Sequence, residues 1–163
     1  MLDAKITSIA QQLVDNLKRA KKHIAIAESC TGGLIAAAIT SVPGSSDIFD
    51  YGIVAYANHI KEQMLGVPSE LLKRHGAVSR EVAEAMAQGA LNLARADIAI
   101  STTGIAGPSG GSIDKPVGLV WVSLATAADT SSREWRFSGS RAEVREQAVI
   151  AAVEMALEYS GDE

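Results

Sequence analysis

Apolar residues recur at Ile6, Ile9, Leu13 and Leu17 with polar residues between them, and this spacing predicts an amphipathic helix over residues 3–20. "KKHIAIAE" then reads as a short strand. "LIAAAITSV" is too rich in alanine for a strand and reads as a buried helix, stopped by Pro43 and Gly44. "DYGIVAYA" is the next strand, followed by a short helix beginning near Asn58 and by a second, "PSELLKRHG", closed by Gly76. Ser79 stands where it would cap a long amphipathic helix, "REVAEAMAQGALNLARA". "DIAISTT" is a strand that runs into residues 104–118, where five glycines and two prolines forbid regular structure. "LVWVSLATA" and "REWRFSG", on either side of a polar "ADTSS" turn, predict an antiparallel hairpin. Ser140 and Glu143 have the spacing of a capping box for a last helix reaching to about Leu157. Strand–helix alternation with one late hairpin predicts a three-layer α/β/α sandwich on a mixed five-stranded sheet.

Composition narrows the picture. The 163 residues suit one domain over 1–163, and with 47% hydrophobic but only 4% aromatic residues its core is built from aliphatic side chains and alanine. A net charge of −4 and a pI near 5.4 leave no basic surface for a nucleic-acid backbone. No stretch stays apolar long enough to span a bilayer, so no membrane partner is expected. One cysteine, Cys30, allows no internal disulfide and no cysteine-rich zinc site, and fits a reducing cytoplasm. The three histidines have no metal-ligand spacing. A symmetric assembly, most commonly a dimer, is the expectation for a small α/β enzyme.

The candidate chemistry begins at "AESCTGG", residues 27–33, between the first strand and the buried helix. In open α/β sheets ligands bind at that edge, and Gly32 and Gly33 with the amides of a helix start could receive an anion such as a phosphate. The string matches neither a P-loop nor a nucleophile elbow. Equally, Ser29 and Thr31 could cap the helix while Cys30 fills an apolar gap. The glycine-rich loop would join the same pocket if its strand runs parallel to the first; otherwise it is an exposed connection. Arg141 and Arg145 share a face at the start of the last helix, suited to an anionic ligand, although Arg145 could pair with Glu143 or Glu146 instead. With no placed histidine, a buried lysine with a lowered pKa is the available base, and Lys61 follows a strand at the ligand edge. A lysine on a short helix is also an ordinary solvated side chain.

Taken in order, "AESCTGG", "GSS", "YANHIK", "HGAVS", "TGIAGPSGG", "KPVG" and "FSGSRAEVR" resemble the CinA C-terminal domain family, the nicotinamide-nucleotide amidases, over about residues 5–158. The resemblance implies an α/β/α fold and hydrolysis of nicotinamide mononucleotide to nicotinate mononucleotide and ammonia in pyridine-nucleotide salvage, without metal or cofactor. Longer members of the family carry a further N-terminal domain that this sequence does not show, so only the amidase role transfers. By resemblance, Ser29 is the nucleophile, Lys61 its base, and Tyr56, followed here by Ala57, orients the lysine or the amide. Amides near Cys30, Thr31 or Gly104 would stabilise the oxyanion. Gly32, Gly33, Thr103, Gly104, Ile105, Ala106 and Gly107 would surround the nucleotide. Arg141 is the first candidate for the phosphate and Arg145 the second. Ser109 and Ser140 stand where relatives often have acidic residues. Cys30 is a rival nucleophile, since a thiol at a helix N-terminus has a lowered pKa, but adjacent residues in an extended segment face opposite ways, and the resemblance selects Ser29. A nucleotide-binding or competence-related regulatory module without turnover is the alternative reading.

Overall fold

The computed structural model describes residues 3–161; positions 1, 2, 162 and 163 of the expected domain lie outside the described residues. Five strands carry the fold: β1 (Ile24–Glu28), β2 (Phe49–Val54), β3 (Ile98–Gly104), β4 (Leu119–Thr126) and β5 (Thr130–Arg136). Their order across the sheet is β2-β1-β3-β4-β5, with β1 parallel to β2 and β3, and the hairpin β4–β5 antiparallel. Six helices cover it: α1 (Ala4–Ala20), α2 (Leu34–Thr40), α3 (Asn58–Leu65), α4 (Ser69–His75), α5 (Arg80–Ala94) and α6 (Arg141–Gly161). The expected three-layer sandwich on a mixed five-stranded sheet is the architecture found. No described helix is long and apolar enough to cross a membrane.

The two faces of the sheet differ because strand side chains alternate. Ile24, Ile26, Ile98, Ile100, Val120 and Val122 point toward α1, α2 and α6. Ala25, Ala27, Ala99 and Ala125 point toward α5, which answers with Val82, Met86, Ala87 and Ala90. Small residues on both sides let α5 lie close to the sheet. α3 in turn lies close to α5: a Cβ on Gly89 would stand 2.0 Å from the carbonyl oxygen of Leu65.

Element ends depart from the sequence pattern for local reasons. β1 starts at Ile24 because Lys21, in the left-handed region, ends α1 and hands its N–H to Leu17 and Lys18. The hairpin turn is shorter than "ADTSS". Thr126 Oγ1 accepts from the N–H groups of Ala128 and Asp129, so β5 already begins at Thr130; Ser131 is exposed on it, while Ser132 turns inward to Ser123 Oγ and the Glu84 carboxyl. α6 runs past Leu157 to Gly161, and Asn16 Nδ2 on α1 donates to Ser160 Oγ in its last turn. Its start is the expected capping box: Ser140 N–H donates to the Glu143 carboxylate at 2.7 Å, and Glu143 N–H to Ser140 Oγ at 3.4 Å. The bond from Ser140 holds the exposed Glu143 carboxyl below the usual range.

Candidate active site

Because β1, β2 and β3 are parallel, their C-terminal ends meet at one edge, where Glu28 lies beside Val54 and Thr102. Both glycine-bearing loops leave from this edge. The first is sewn to both neighbouring strands, since Ser29 N–H donates to the Thr102 carbonyl at 2.9 Å and Ala55 N–H to the Glu28 carbonyl at 2.8 Å. Beyond Ala55 the chain turns away, so β2 ends before Tyr56, and α3 begins at Asn58 with its first turn over the loop.

That turn delivers Lys61. Its side chain is 1% exposed, and Nζ donates to Ser29 Oγ at 3.1 Å and to the Tyr56 carbonyl oxygen at 3.0 Å. No ion pair found among the described residues involves Lys61. Burial lowers the pKa of its amine from the ordinary lysine value, because desolvation disfavours the cation. Ser29 is 9% exposed, at the threshold between the interior and solvent. When the amine is neutral, the 3.1 Å contact can reverse, with the Ser29 hydroxyl donating to Nζ and an N–H of the lysine still held by Tyr56 O.

Cys30 faces the other way, into the cluster of Ile24, Ile35 and Val144. Burial pushes its thiol up to about 12, against the lowered value that a helix N-terminus suggests. A protonated, enclosed thiol is a small hydrophobe rather than a nucleophile.

The start of α2 is also not what the sequence suggests. Its N-cap, Gly33, has φ of 96° and caps with no side chain. Glu28, 1% exposed, reaches over instead: its carboxylate accepts from the N–H groups of Gly33 at 3.0 Å, Ile35 at 3.1 Å and Ala36 at 2.9 Å. These amides are therefore not a phosphate cradle; the protein's own anion occupies them. Nor do Ser29 and Thr31 cap the helix, since Thr31 Oγ1 pairs with Thr102 Oγ1 at 2.8 Å inside the core. Glu28 was missed by sequence reasoning. The available signal was a carboxylate ending an otherwise apolar five-residue strand, just before a helix with no Ser, Thr, Asp or Asn at its N-cap.

α6 ties both loops together. Arg145 Nε donates to the Cys30 carbonyl at 3.1 Å and Nη2 to the Thr31 carbonyl at 3.0 Å. Gly32, with φ of +59°, leaves the room: a Cβ there would stand 3.0 Å from Arg145 Nη2. Arg141 donates to the Gly107 carbonyl at 2.8 Å and to the Tyr56 phenol oxygen at 2.8 Å. The Tyr56 ring, 56% exposed, thus stands with Arg141 while only its carbonyl meets Lys61. In the second loop, Gly104 presses on β4, where a Cβ would meet Val120 at 2.6 Å. Ile105 is bonded on both sides, its N–H to Leu119 O and its carbonyl to Gly118 N–H. Ala106 joins the core, and Thr103 turns toward α5 and donates to Ala77 O at 2.8 Å. A hollow of about 630 Å³ lies elsewhere, between α3 and α5, lined by Met64, Leu65, Gly89 and Leu93 among others. It contains no nucleophile, and none of the candidate site residues lines it.

The model of the CinA C-terminal domain matches residues 6–160. The chain belongs to the CinA C-terminal domain family. A CinA-like protein of Geobacter sulfurreducens is 53% identical over 131 residues, covering 80% of this chain and 32% of that protein. The chain thus spans about a third of the length of the first curated relatives it matches. The nicotinamide-nucleotide amidohydrolase PncC of Escherichia coli K12 is of similar size, 48% identical over 155 residues with 94% of each chain covered. The crystal structure of the competence/damage inducible protein CihA from Agrobacterium tumefaciens superposes with a TM-score of 0.94 at 42% identity, covering 97% of this chain and 98% of that one. The CinA domain fold is therefore that of the whole described chain.

Proposed function

We propose that this CinA domain is a nicotinamide-nucleotide amidohydrolase that converts nicotinamide mononucleotide and water to nicotinate mononucleotide and ammonia. The observation that carries the reading is the buried Ser29–Lys61 contact of 3.1 Å, in which the lysine has a lowered pKa. The 48% identity to PncC over nearly all of both chains supplies the substrate class. A module that only binds a nucleotide has no need to bury an unpaired amine against a serine.

In this mechanism neutral Lys61 takes the Ser29 proton as Oγ attacks the carboxamide carbon. The oxyanion collapses, the carbon–nitrogen bond breaks, and Lys61 returns the proton to the departing nitrogen as ammonia. Water then attacks the nicotinoyl ester with Lys61 again as base, and the proton passes back to Ser29 Oγ. The loop amides narrow the choice of oxyanion donors. Ser29 N–H is held by Thr102 O, Gly32 N–H by Ser29 O at 3.1 Å, and Gly33 N–H by Glu28. The Thr31 N–H takes part in none of these bonds and serves the oxyanion, whereas the Cys30 N–H is turned to its own thiol. Arg141, at the exposed rim with Tyr56, receives the phosphate. The reading carries with it one amidase domain over 1–163, a cytoplasmic setting and a homodimer.

The test is to incubate the purified protein with nicotinamide mononucleotide and measure ammonia and nicotinate mononucleotide in equal amounts. Tight nucleotide binding with no ammonia released would establish the regulatory module instead.

A further inference from the structure

We infer that Arg145 is a positioning residue of the oxyanion hole, clamping the carbonyls of Cys30 and Thr31 so that the Thr31 N–H faces Ser29. The inference deepens the serine–lysine amidase reading and rests on it. In a trans peptide the C=O and the following N–H point in opposite directions. Arg145 approaches from the α6 side and holds the Cys30 carbonyl with Nε and the Thr31 carbonyl with Nη2. The N–H groups of Thr31 and Gly32 must then point away from α6. For Gly32 this direction is visible directly, because its N–H lands on the Ser29 carbonyl oxygen. The Ser29 hydroxyl lies on that same side, where it meets Lys61 of α3, whose Leu65 packs with the α5 face of the sheet. Thr31 N–H therefore faces the side on which the tetrahedral oxyanion forms.

The guanidinium contributes beyond orientation. A cation hydrogen-bonded to a carbonyl polarises the whole peptide, which makes its N–H a stronger donor when negative charge develops. The planar fork matters too: two donors at fixed separation hold two successive carbonyls, which a lysine ammonium does not reproduce. Gly32 is the matching part, since a side chain there would crowd the guanidinium. This assignment differs from a phosphate contact by Arg145, and the two are separable. A phosphate ligand acts only on substrates that carry a phosphate. An oxyanion clamp acts on any carboxamide that Ser29 attacks.

The experiment compares wild type, Arg145→Met and Arg145→Lys on nicotinamide mononucleotide and on nicotinamide riboside, with thermal unfolding as a check on folding. Arg145→Met is expected to lower kcat by about 10–100-fold on both substrates, with KM for the mononucleotide little changed. Arg145→Lys should fall between it and wild type, and it decides the matter if Arg145→Met does not fold. Adding millimolar guanidinium to Arg145→Ala should restore part of the lost kcat. A second readout needs no amide substrate: the rate at which a fluorophosphonate phosphonylates Ser29, followed by intact mass, should fall by a similar factor, because its P=O oxygen uses the same donors. A loss confined to the mononucleotide, or carried by KM, overturns the inference, as does normal labelling of Ser29 in a folded Arg145→Met. If wild type labels at Ser29 but releases no ammonia, the amidase reading fails while the labelling ratio still judges Arg145. If wild type does not label, the inference falls.

Discussion

Replacing Lys61 by Met should change how stability depends on pH, in a direction set chiefly by burial. The folded-state pKa of Lys61 is lowered from about 10.5, so between the lowered value and 10.5 the unfolded chain holds a proton that the native state does not. The Lys61 contribution to stability must therefore rise with pH across that window, at up to about 1.4 kcal/mol per pH unit. Below the folded pKa both states are protonated and the cost of burying the cation is fully present; above 10.5 both are neutral and it is gone. Methionine keeps the unbranched stem and removes the titration. It also leaves the Tyr56 carbonyl and the Ser29 hydroxyl without the lysine donor, about 1–3 kcal/mol for each buried group, but that offset does not vary with pH. Cys30, whose thiol burial raises from about 9 to about 12, lowers stability as pH rises above about 9, but it is present in both proteins and drops out of the comparison. For a chain of this size the gap in Tm between the two proteins should change by roughly 3–5 °C per pH unit. Thermal melts of both proteins from about pH 6 to pH 10 measure it. Parallel curves would refute the claim that the amine is buried at a lowered pKa, and with it the case for Lys61 as a base.

Ser29→Ala should abolish ammonia release while the fold and nucleotide binding persist, and Cys30→Ala should retain turnover; the reverse outcome in a paired assay would transfer the nucleophile to the thiol. Lys61→Arg should fold and lose turnover, because a guanidinium is not deprotonated, and wild-type activity should rise with pH along one limb as the amine loses its proton. Single His→Ala variants at 23, 59 and 75 should keep that limb, so its loss in any of them would remove the lysine mechanism. Glu28→Ala strips three amides of their acceptor and should cost about 3–5 kcal/mol by urea denaturation, each enclosed N–H left without a partner costing about 1–3 kcal/mol, whereas a loss under 1 kcal/mol would mean that water replaces the carboxyl group.

Much of this was legible in the sequence because the strand and helix periods differ. Ile6 to Leu17 mark α1, and the glycine-rich segment after "DIAISTT" marks the end of β3 at the ligand edge. The partnership of Ser29 with Lys61 was not legible from periodicity, since a lysine in the middle of "NHIKEQML" has the pattern of a solvated one; its place after a strand at the ligand edge made Lys61 a candidate base, and the resemblance paired it with Ser29. Contacts between distant loops were hidden for the same reason. Arg145 meets Cys30 and Thr31 across most of the chain, and sequence neighbours Glu143 and Glu146 offered simpler partners. Glu28 was obscured by its surroundings: next to a serine, a cysteine and a threonine, it drew attention to chemistry rather than to its service as a helix cap.

The bare Cα of Gly89 sets a dimension of the proposed catalytic centre that it never touches. A lysine stem has a fixed maximum reach, so whether Nζ arrives at Ser29 depends on how far α3 stands from the sheet, and α3 rests on α5 where the Leu65 carbonyl meets Gly89. Adding one methyl group there would wedge the two helices apart and withdraw the amine from the hydroxyl, though every reacting group would still be present. The spacing of the dyad is thus calibrated on the far side of α3, by a position where the chain can afford no side chain at all.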